Sequence, residues 1–338
     1  MAKFKKRLTG ADRATNSRWR VAGTDLGIPY VLENCSIGYL FGDTFNTARP
    51  EDTNNGWRSP VMLRSNVHPA APGGIVFDSA AKVEGNFARG ILDFVAYGDP
   101  EDGHWPDHEI TCIPNDGVSF PETGRQIISF QSLNRWCSPW RSRYASLAYS
   151  DNGNDFTRVP HLAWWNGKAN SDPFQMWTMQ RDGEWVYVFS VRSGRQPGPM
   201  MLQRVHWQHM FDKSRYQGWG WNCRNWGWGR PCTPILEGTF GEPSVRKLDD
   251  GTWAMCYLDD AKGNIVSRTA SGPDRVWSRE KIQVAYRPEP NVSGGLYGGF
   301  IHPWSRRGAN NLHIMVSKWT RKNGFTTAYH VSQYVGTL

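Results

Sequence analysis

The sequence predicts an all-β protein, and its repeating pattern predicts a five-bladed β-propeller. The chain of 338 residues contains 18 Trp, 35 Gly and 21 Pro, a composition unlike that of helical proteins. Units of strand, tight turn and strand recur about every 50–70 residues, which is typical of propeller blades. Their first strands begin near residues 25, 85, 174, 243 and 299, and the two chain ends are expected to complete one blade. A β-sandwich is the alternative, but the sequence has no evident long Greek-key crossover.

The domain organisation is expected to be simple. A basic N-terminal extension covers residues 1–19, and a single catalytic propeller covers residues 20–338. The formal net charge is +8, yet Lys and Arg are scattered outside Lys3–Arg7. This favours a solvated surface, or attraction to an anionic cell envelope, over nucleic-acid binding. The N-terminus lacks the apolar core of a secretion signal, and no apolar run reaches the roughly 18 residues that would cross a membrane.

The first element is a β-hairpin within Gly23–Pro60. Leu26–Leu32 and Ser36–Gly42 are rich in β-branched and aromatic residues and are bounded by Gly, Asn and Asp, so they predict two strands. The turn falls near Glu33–Cys35, which makes Asn34 the centre of the hairpin. This hairpin is the part of the chain where chemistry is expected first, because an acid stands at each of its open ends.

Those acids are Asp25 and Asp43, nine residues before and nine after Asn34. A symmetric register makes them cross-strand neighbours, with Cβ atoms roughly 4.5–5.5 Å apart. Two carboxylates this close have pKa values that separate, which yields an acid and a base or nucleophile. The alternative is that both are turn residues, since Asp and Gly are common at strand ends. Trp57 and Arg58 follow at the same end, and such aromatic and guanidinium groups favour a sugar site.

The remaining strands are expected at shorter intervals. They are Val61–Ser65, Gly74–Asp78, Phe87–Gly98, Tyr144–Tyr149, Phe174–Met179, Trp185–Ser190, Ser244–Leu248, Trp253–Leu258, Ile265–Thr269, Gly298–His302, Leu312–Trp319 and Thr326–Gln333. The stretch Asp151–Phe156 resembles the Asp-box turn of sialidase-type propellers, a structural element between outer strands. Residues 99–109 form an acidic loop with two His but without diagnostic ligand spacing, which favours a solvated turn over a metal site.

The six cysteines do not form a CxxC pair, which argues against a zinc site. Cys35 and Cys256 lie in apolar runs and are expected to be buried free thiols. Cys223 and Cys232 flank a tight loop that a disulfide could close.

The blade pattern suggests which side chains meet. The inner strands would open at Asp25, Asp172, Glu242 and Gly298–His302, all facing one funnel. Glu242 is therefore a third acid of interest. Asp172 and His302 are weaker candidates, because a lone His is more often a hydrogen-bonded structural residue than a catalyst.

A second unusual stretch is Tyr216–Arg230, YQGWGWNCRNWGWGR, in which Trp residues alternate with Gly. Flat aromatic faces that stack on sugar rings would explain it. Packing of the Trp rings on the propeller wall would explain it too, and single-stranded nucleic acid also binds such platforms with Arg. Glycan contact is the first interpretation, and it makes Trp219 and Trp221 candidate subsites.

Five motifs in order resemble one known family. They are TDLG (Thr24–Gly27), YLFGDTF (Tyr39–Phe45), WRSPVMLRS (Trp57–Ser65), GEPSV (Gly241–Val245) and YGGFIHPWS (Tyr297–Ser305). Together they resemble glycoside hydrolase family 183, the endo-D-arabinanases of mycobacteria, their relatives and their phages, over residues 20–335. The resemblance implies a five-bladed propeller that cuts α-D-arabinofuranosyl linkages inside arabinogalactan and lipoarabinomannan, with the catalytic acids at Asp25 and Asp43.

The resemblance also sets expectations for partners and location. The partner is the cell-wall polysaccharide D-arabinan, with no cofactor, metal, nucleic acid or membrane. The missing secretion signal suggests a phage-encoded protein that is released on lysis or carried on the virion with other virion proteins, and that acts at the bacterial envelope. The candidate substrate-binding residues are Trp57, Arg58, Asp172, Phe174, Gln175, Trp219, Trp221, Tyr297 and His302.

Two questions stay open at this point. Carboxyl groups roughly 5–5.5 Å apart imply retention and roughly 6.5–9.5 Å imply inversion, but a cross-strand position alone does not fix the separation. Two rival functions also remain. One is a non-catalytic glycan-binding tail module, and the other is a different propeller glycosidase of the L-arabinofuranosidase or sialidase type.

Overall fold

The computed structural model describes residues 1–93, 109–136, 138–167 and 169–338. The chain begins with strand β1 (Lys3–Arg7) and the short helix α1 (Ala14–Trp19). Five antiparallel sheets then follow as the blades of a five-bladed β-propeller, so the predicted fold is confirmed. No helix in the described ranges is long and apolar enough to span a membrane.

The first two blades contain the following strands. Blade 1 has β2 (Gly23–Val31), β3 (Ile37–Phe45), β4 (Val61–Ser65) and β5 (Ser79–Ala80), followed by a small hairpin of β6 (Val83–Glu84) and β7 (Phe87–Ala88). Blade 2 has β8 (Thr111–Phe120), β9 (Arg125–Arg135), β10 (Arg141–Ser150), β11 (Thr157–Arg158) and β12 (Trp164–Trp165), which also pairs with β10.

The other three blades follow without interruption. Blade 3 has β13 (Met176–Asp182), β14 (Trp185–Val191), β15 (Pro197–His206), β16 (Gln217–Trp221), β17 (Trp226–Trp228) and β18 (Leu236–Thr239), with 3-10 turns at Trp207–His209 and Lys213–Arg215. Blade 4 has β19 (Ser244–Lys247), β20 (Trp253–Asp259), β21 (Asn264–Ala270) and β22 (Lys281–Val284). Blade 5 has β23 (Val292–Ile301), β24 (Leu312–Lys322), β25 (Phe325–Gly336) and β1.

The two chain ends close the propeller. Strand β1, from the basic stretch at the N-terminus, pairs antiparallel with the last strand, β25, and is the outer strand of blade 5. This confirms the expectation that both ends complete one blade. Because the last blade contains strands from both termini, their pairing closes the ring of sheets.

Blade 2 begins later than the spacing predicted, at Thr111 instead of near residue 85. The predicted strand Gly74–Asp78 is wrong, because its amides bond elsewhere: that of Ile75 donates to the side chain of Gln333 at 3.0 Å. Ile75 and Phe77 are nevertheless buried, so their alternation reflects core packing without a β-ladder. Of the predicted strand Phe87–Gly98, only β7 is formed, and residues 94–98 lie outside the described ranges, as does most of the acidic loop 99–109.

Adjacent sheets pack face to face through large aromatic side chains. Trp164 of blade 2 meets Trp177 of blade 3 edge to face, with centroids 4.5 Å apart. Phe189 of blade 3 packs against Trp277 at 5.7 Å, next to blade 4. Such pairs add about 0.5–1.5 kcal/mol each beyond the burial of their area. Trp164, Trp177 and Trp277 therefore belong to the walls between blades.

A buried ion pair joins four blades on their inner strands. Both carboxylate oxygens of Asp116, in β8, accept hydrogen bonds from the guanidinium of Arg246, in β19, at 2.7 and 2.8 Å. Asp116 also accepts from the Thr178 hydroxyl at 2.7 Å, and Arg246 donates to the Pro29 carbonyl at 2.7 Å. Because the remaining lone pairs and protons are used, this pair meets the condition under which a buried ion pair is tolerated.

The cysteines form no disulfide among the described residues. Cys256 is buried as expected, but the prediction that Cys35 is buried is wrong, because it lies at the exposed tip of the first hairpin. Its φ of 66° fits a turn and not a strand. Cys223 and Cys232 are both free thiols, and Cys137 lies outside the described ranges.

Candidate active site

A cavity of about 750 Å³ receives side chains from all five blades. Its lining contains three of the predicted acids, Asp25, Asp43 and Glu242, together with Trp57 and Tyr297. Asp25 and Asp43 come from the first hairpin, Glu242 from the residues just before β19, and Tyr297 from β23. Residues far apart in the chain thus form one acidic site beside aromatic side chains.

The first hairpin has the predicted register on both sides of Asp25, but Asp25 and Asp43 are not themselves a paired position. Thr24 pairs with Thr44, and Ile28 pairs with Leu40, so both pairs are centred on Asn34. The register shifts between them at Leu26, whose φ is 65° and whose amide donates to the Ser317 hydroxyl at 2.7 Å. A left-handed non-glycine residue beside a candidate catalytic acid is a form of strain that clusters at functional sites.

Asp25 is the most perturbed acid of the cavity. Burial, and then the nearby charge of Asp43, raise the pKa of Asp25 to about 7. The Tyr297 hydroxyl opposes this by donating a 2.9 Å hydrogen bond to Oδ2. Oδ1 is buried and, among the described residues, has no hydrogen-bond partner. Asp25 is therefore protonated in much of the population near neutral pH and can act as an acid.

Asp43 has a different environment. Its Oδ1 accepts hydrogen bonds from the Trp57 indole at 2.8 Å and from the Thr111 hydroxyl at 2.5 Å. Burial raises the pKa of Asp43 above its ordinary value, and these two donors reduce that rise because they stabilise the carboxylate. The Tyr329 hydroxyl donates to the main-chain carbonyl of Asp43 at 3.1 Å and so fixes the strand at this point.

Glu242 is held by an arginine that the sequence analysis missed. Nη2 and Nε of Arg195 donate to Oε1 of Glu242 at 2.6 and 3.1 Å. The same guanidinium stacks over the ring of Tyr297, 4.7 Å from its centroid. Oε2 of Glu242 is buried and lacks a partner within the part of the chain that the structure describes. Arg195, Tyr297 and Asp25 thus link the third acid to the first.

The structure places the other predicted site residues outside the described lining of this cavity. Arg58 is buried and donates to five main-chain carbonyls, of which those of Ala88, Gly56 and Arg20 are nearest, each at 2.9 Å. Its side chain thus holds together loop segments that are distant in sequence. Its position next to Trp57 in sequence does not bring it to the cavity, because neighbouring residues of an extended chain point in opposite directions.

Asp172, Phe174 and Gln175 form a separate network at the start of blade 3. Oδ1 of Asp172 accepts from the amide of Phe174 and from the side chain of Gln175, both at 2.8 Å. Gln175 is fully buried and also donates to the Trp164 carbonyl at 2.9 Å. These hydrogen bonds fix the residues that lead into β13.

His302 is also buried. Its Nε2 lies 2.8 Å from the Tyr39 hydroxyl, and its Nδ1 accepts from the amide of Trp304 at 3.1 Å. Burial is the main reason that the pKa of His302 lies well below its ordinary value, so the ring is neutral.

The Trp-rich stretch folds as the hairpin β16–β17 at the outer edge of blade 3. Trp228 packs against Tyr187, and Trp219 stacks with Trp226 at a centroid distance of 5.9 Å. Trp221 is 46% exposed and Trp226 is 41% exposed. Part of this hairpin therefore packs on the blade, and part faces solvent away from the described cavity lining.

Several lining residues were not identified from the sequence. They are Trp136, Trp140, Arg195, Trp319, Arg321 and Tyr329. Thr111, which donates to Asp43, was missed as well. Trp319 and Tyr329 lie in correctly predicted strands, so the two-residue alternation could have indicated them once the inward face was known. No cluster of three or more His, Cys, Asp or Glu side chains with metal-site geometry is present in the described ranges.

A family model described as a domain of unknown function (DUF4185) matches residues 10–335. The chain belongs to this family. The chain is also similar to the notoamide biosynthesis cluster protein J' of Aspergillus versicolor, with 53% identity over 99% of this chain and 92% of that protein. An uncharacterized 35.9 kDa protein of Mycolicibacterium smegmatis is 29% identical over 44% of this chain and 47% of that protein.

Solved structures give a likeness of fold. Zg3597, a family 117 glycoside hydrolase of Zobellia galactanivorans, superposes with a TM-score of 0.56 and 12% identity, covering 99% of this chain and 90% of that chain. At this identity, the likeness shows that the DUF4185 chain shares the propeller fold, and chemistry must be argued from the site itself.

Proposed function

We propose that this protein is a glycoside hydrolase and that the carboxyl groups in the cavity carry out the reaction. The observation that carries the proposal is the contrast between Asp25 and Asp43. Burial raises the pKa of both, that of Asp25 to about 7, but Asp43 alone accepts two side-chain hydrogen bonds on one oxygen, and these favour its ionised form. Glycoside hydrolysis needs such a pair, a protonated acid and an ionised carboxylate, on opposite sides of the bond that is cut.

In this mechanism Asp25 donates its proton to the glycosidic oxygen as the bond to the anomeric carbon breaks. Asp43 then either attacks the anomeric carbon, or removes a proton from a water molecule that attacks it. The Tyr297 hydroxyl stays protonated, because burial and the charge of Asp25 raise its pKa far above the ordinary value. It can therefore stabilise the Asp25 carboxylate that forms after proton transfer.

The finer proposal concerns the sugar. The motif resemblance supports an α-D-arabinofuranosyl linkage with endo-acting cleavage at the bacterial envelope. The Aspergillus relative gives no support to a phage origin, and its name instead points to a cluster that makes a small molecule.

The deciding experiment incubates the purified protein with D-arabinan, L-arabinan and sialyl oligosaccharides and measures the release of reducing ends. We expect release from D-arabinan, with fragments of intermediate size if cleavage is internal. Binding of D-arabinan without any release would favour a non-catalytic glycan-binding module. Release from one of the other two substrates would assign a different propeller glycosidase, and proton NMR of the first product would read out retention or inversion.

A further inference from the structure

Apolar side chains line part of the same cavity beside the acids. Ile113 and Leu133 are buried in its lining. Trp136 and Trp140 also line the cavity, with ring centroids 6.2 Å apart. Phe45 belongs to the same lining and packs against Tyr329. We call these five residues, Phe45, Ile113, Leu133, Trp136 and Trp140, the apolar wall.

Apart from Ser138, Arg321 and Tyr329, the polar side chains of the described lining are the acids and their partners. Asp25, Asp43 and Glu242 are already linked to Tyr297, Trp57 and Arg195 by hydrogen bonds. The described lining has no Asn, Gln, Lys or His. Sugar hydroxyls placed against the apolar wall would lose hydrogen bonds to water without replacement, which costs about 1–3 kcal/mol for each buried group.

The size of the cavity fits a compact ligand. Its volume of about 750 Å³ lies within the range of roughly 300–1,000 Å³ that is usual for small-molecule sites, which are mostly apolar with a few convergent polar groups. One sugar at the acids uses those polar groups. The remaining space, bordered by two indole rings, suits a flat group with few hydroxyls.

We propose that the apolar wall is a subsite for a planar aromatic aglycone, so that the site takes sugars linked to an aromatic small molecule in addition to the D-arabinan of the proposed function. The position of the cleaved bond rests on the proposed function, whereas the binding of the aromatic group does not. Trp136 is 54% exposed and forms the outer part of the subsite, where its ring can stack on the aglycone.

The first experiment measures binding of 2-(2-naphthyl)ethanol by titration calorimetry, without any sugar. We expect saturable binding to the wild type and an affinity about fivefold to tenfold lower for Trp136→Ala, which corresponds to one aromatic contact. Trp165→Ala is the matched control. Trp165 is 57% exposed, has an edge-to-face partner in Tyr144, and is not among the residues that line the cavity. No binding, or equal losses in both variants, would overturn the subsite.

The second experiment compares 2-(2-naphthyl)ethyl and ethyl α-D-arabinofuranosides. Both release primary alcohols, so a difference reports binding of the aglycone and not leaving-group acidity. We expect a KM at least tenfold lower for the naphthylethyl compound, and a smaller ratio for Trp136→Ala but not for Trp165→Ala. Equal KM values would overturn the subsite and leave the proposed hydrolysis intact. If neither compound is cleaved while naphthylethanol binds at the wall, the proposed hydrolysis of this sugar fails and the subsite stands.

Discussion

Gly42 lies directly against the carboxyl group of Asp25. A Cβ atom at position 42 would stand 2.5 Å from Oδ1 of Asp25 and 3.2 Å from Cδ1 of Leu26. The first distance is far inside normal contact, so the glycine in the GDT motif provides the space through which the acid reaches the cavity. This is a demand for space, because the backbone of Gly42 is not in the left-handed region.

Gly42→Ala is therefore expected to displace the Asp25 carboxyl group. A shift of about 1 Å in a catalytic group can cost on the order of 10²-fold in rate, and we expect kcat/KM to fall at least tenfold. Gly73→Ala is the control, because nothing lies within 4 Å of a Cβ atom there. The measurement is steady-state kinetics on the best substrate of the panel, with thermal unfolding in parallel. Unchanged kinetics in the Gly42 variant would contradict the close contact.

The carboxyl groups can be tested one at a time. Asp25→Asn and Asp43→Asn preserve shape, so we expect folded proteins whose rates are lower by about 10²–10⁴-fold for a lost acid or base, and by more for a lost nucleophile. Glu242→Gln should cost less, because Arg195 already engages one of its oxygens. Should Glu242→Gln abolish activity while Asp43→Asn retains it, Glu242 would take the role given to Asp43.

The first hairpin shows why part of this site could be predicted from the sequence. Its two strands are adjacent in the chain and the turn is short, so counting from Asn34 gives the pairing of Thr24 with Thr44. Repeat spacing similarly led to Glu242, which lies just before the first strand of blade 4. Local strand pairing and a regular repeat are thus the two features of this site that the sequence alone reveals.

The errors have a common physical cause. Arg58, Gln175 and His302 stand near strand ends, as predicted, but their side chains point into hydrogen-bond networks outside the described cavity lining. Adjacent residues of an extended chain face opposite sides, so proximity in sequence does not give direction. Arg195 lies in a loop with a left-handed backbone, and its contact with Glu242 joins residues 47 positions apart. Nothing local encodes such a contact.

Breaking the buried ion pair between Asp116 and Arg246 should destabilise the propeller. Removing one partner of a buried pair leaves an unpaired charge and typically costs about 3–5 kcal/mol. We expect Asp116→Asn to lower the free energy of unfolding by this amount in urea titrations. Asp182→Asn is the control, because its contact with Lys247 is on the surface, where such pairs contribute about 0–1 kcal/mol. Similar losses for both variants would show that the central pair has no special role.

The raised pKa of Asp25 also predicts a pH-dependent cost to folding. In the unfolded chain this carboxyl group has its ordinary pKa of 3.8, and in the folded protein the value is about 7. Below pH 4 both states bind the proton, so the contribution of Asp25 to stability is fully present. Between pH 4 and pH 7 the unfolded state releases its proton while the folded state keeps it, so that contribution is lost as pH rises.

Asp25→Asn removes this titration, and the variant should gain stability relative to the wild type as pH rises from 4.5 to 8. Each pKa unit corresponds to about 1.4 kcal/mol, and a gain of 1 kcal/mol raises Tm by roughly 2–4 °C in proteins of 150–250 residues. We expect the Tm difference between variant and wild type to increase by several degrees over this range. Asp151→Asn should show no such increase, because Arg125 lowers the pKa of Asp151. A Tm difference for Asp25→Asn that stays constant with pH would mean that Asp25 ionises normally in the folded protein, and Asp25 would then lose its place as the acid of the site.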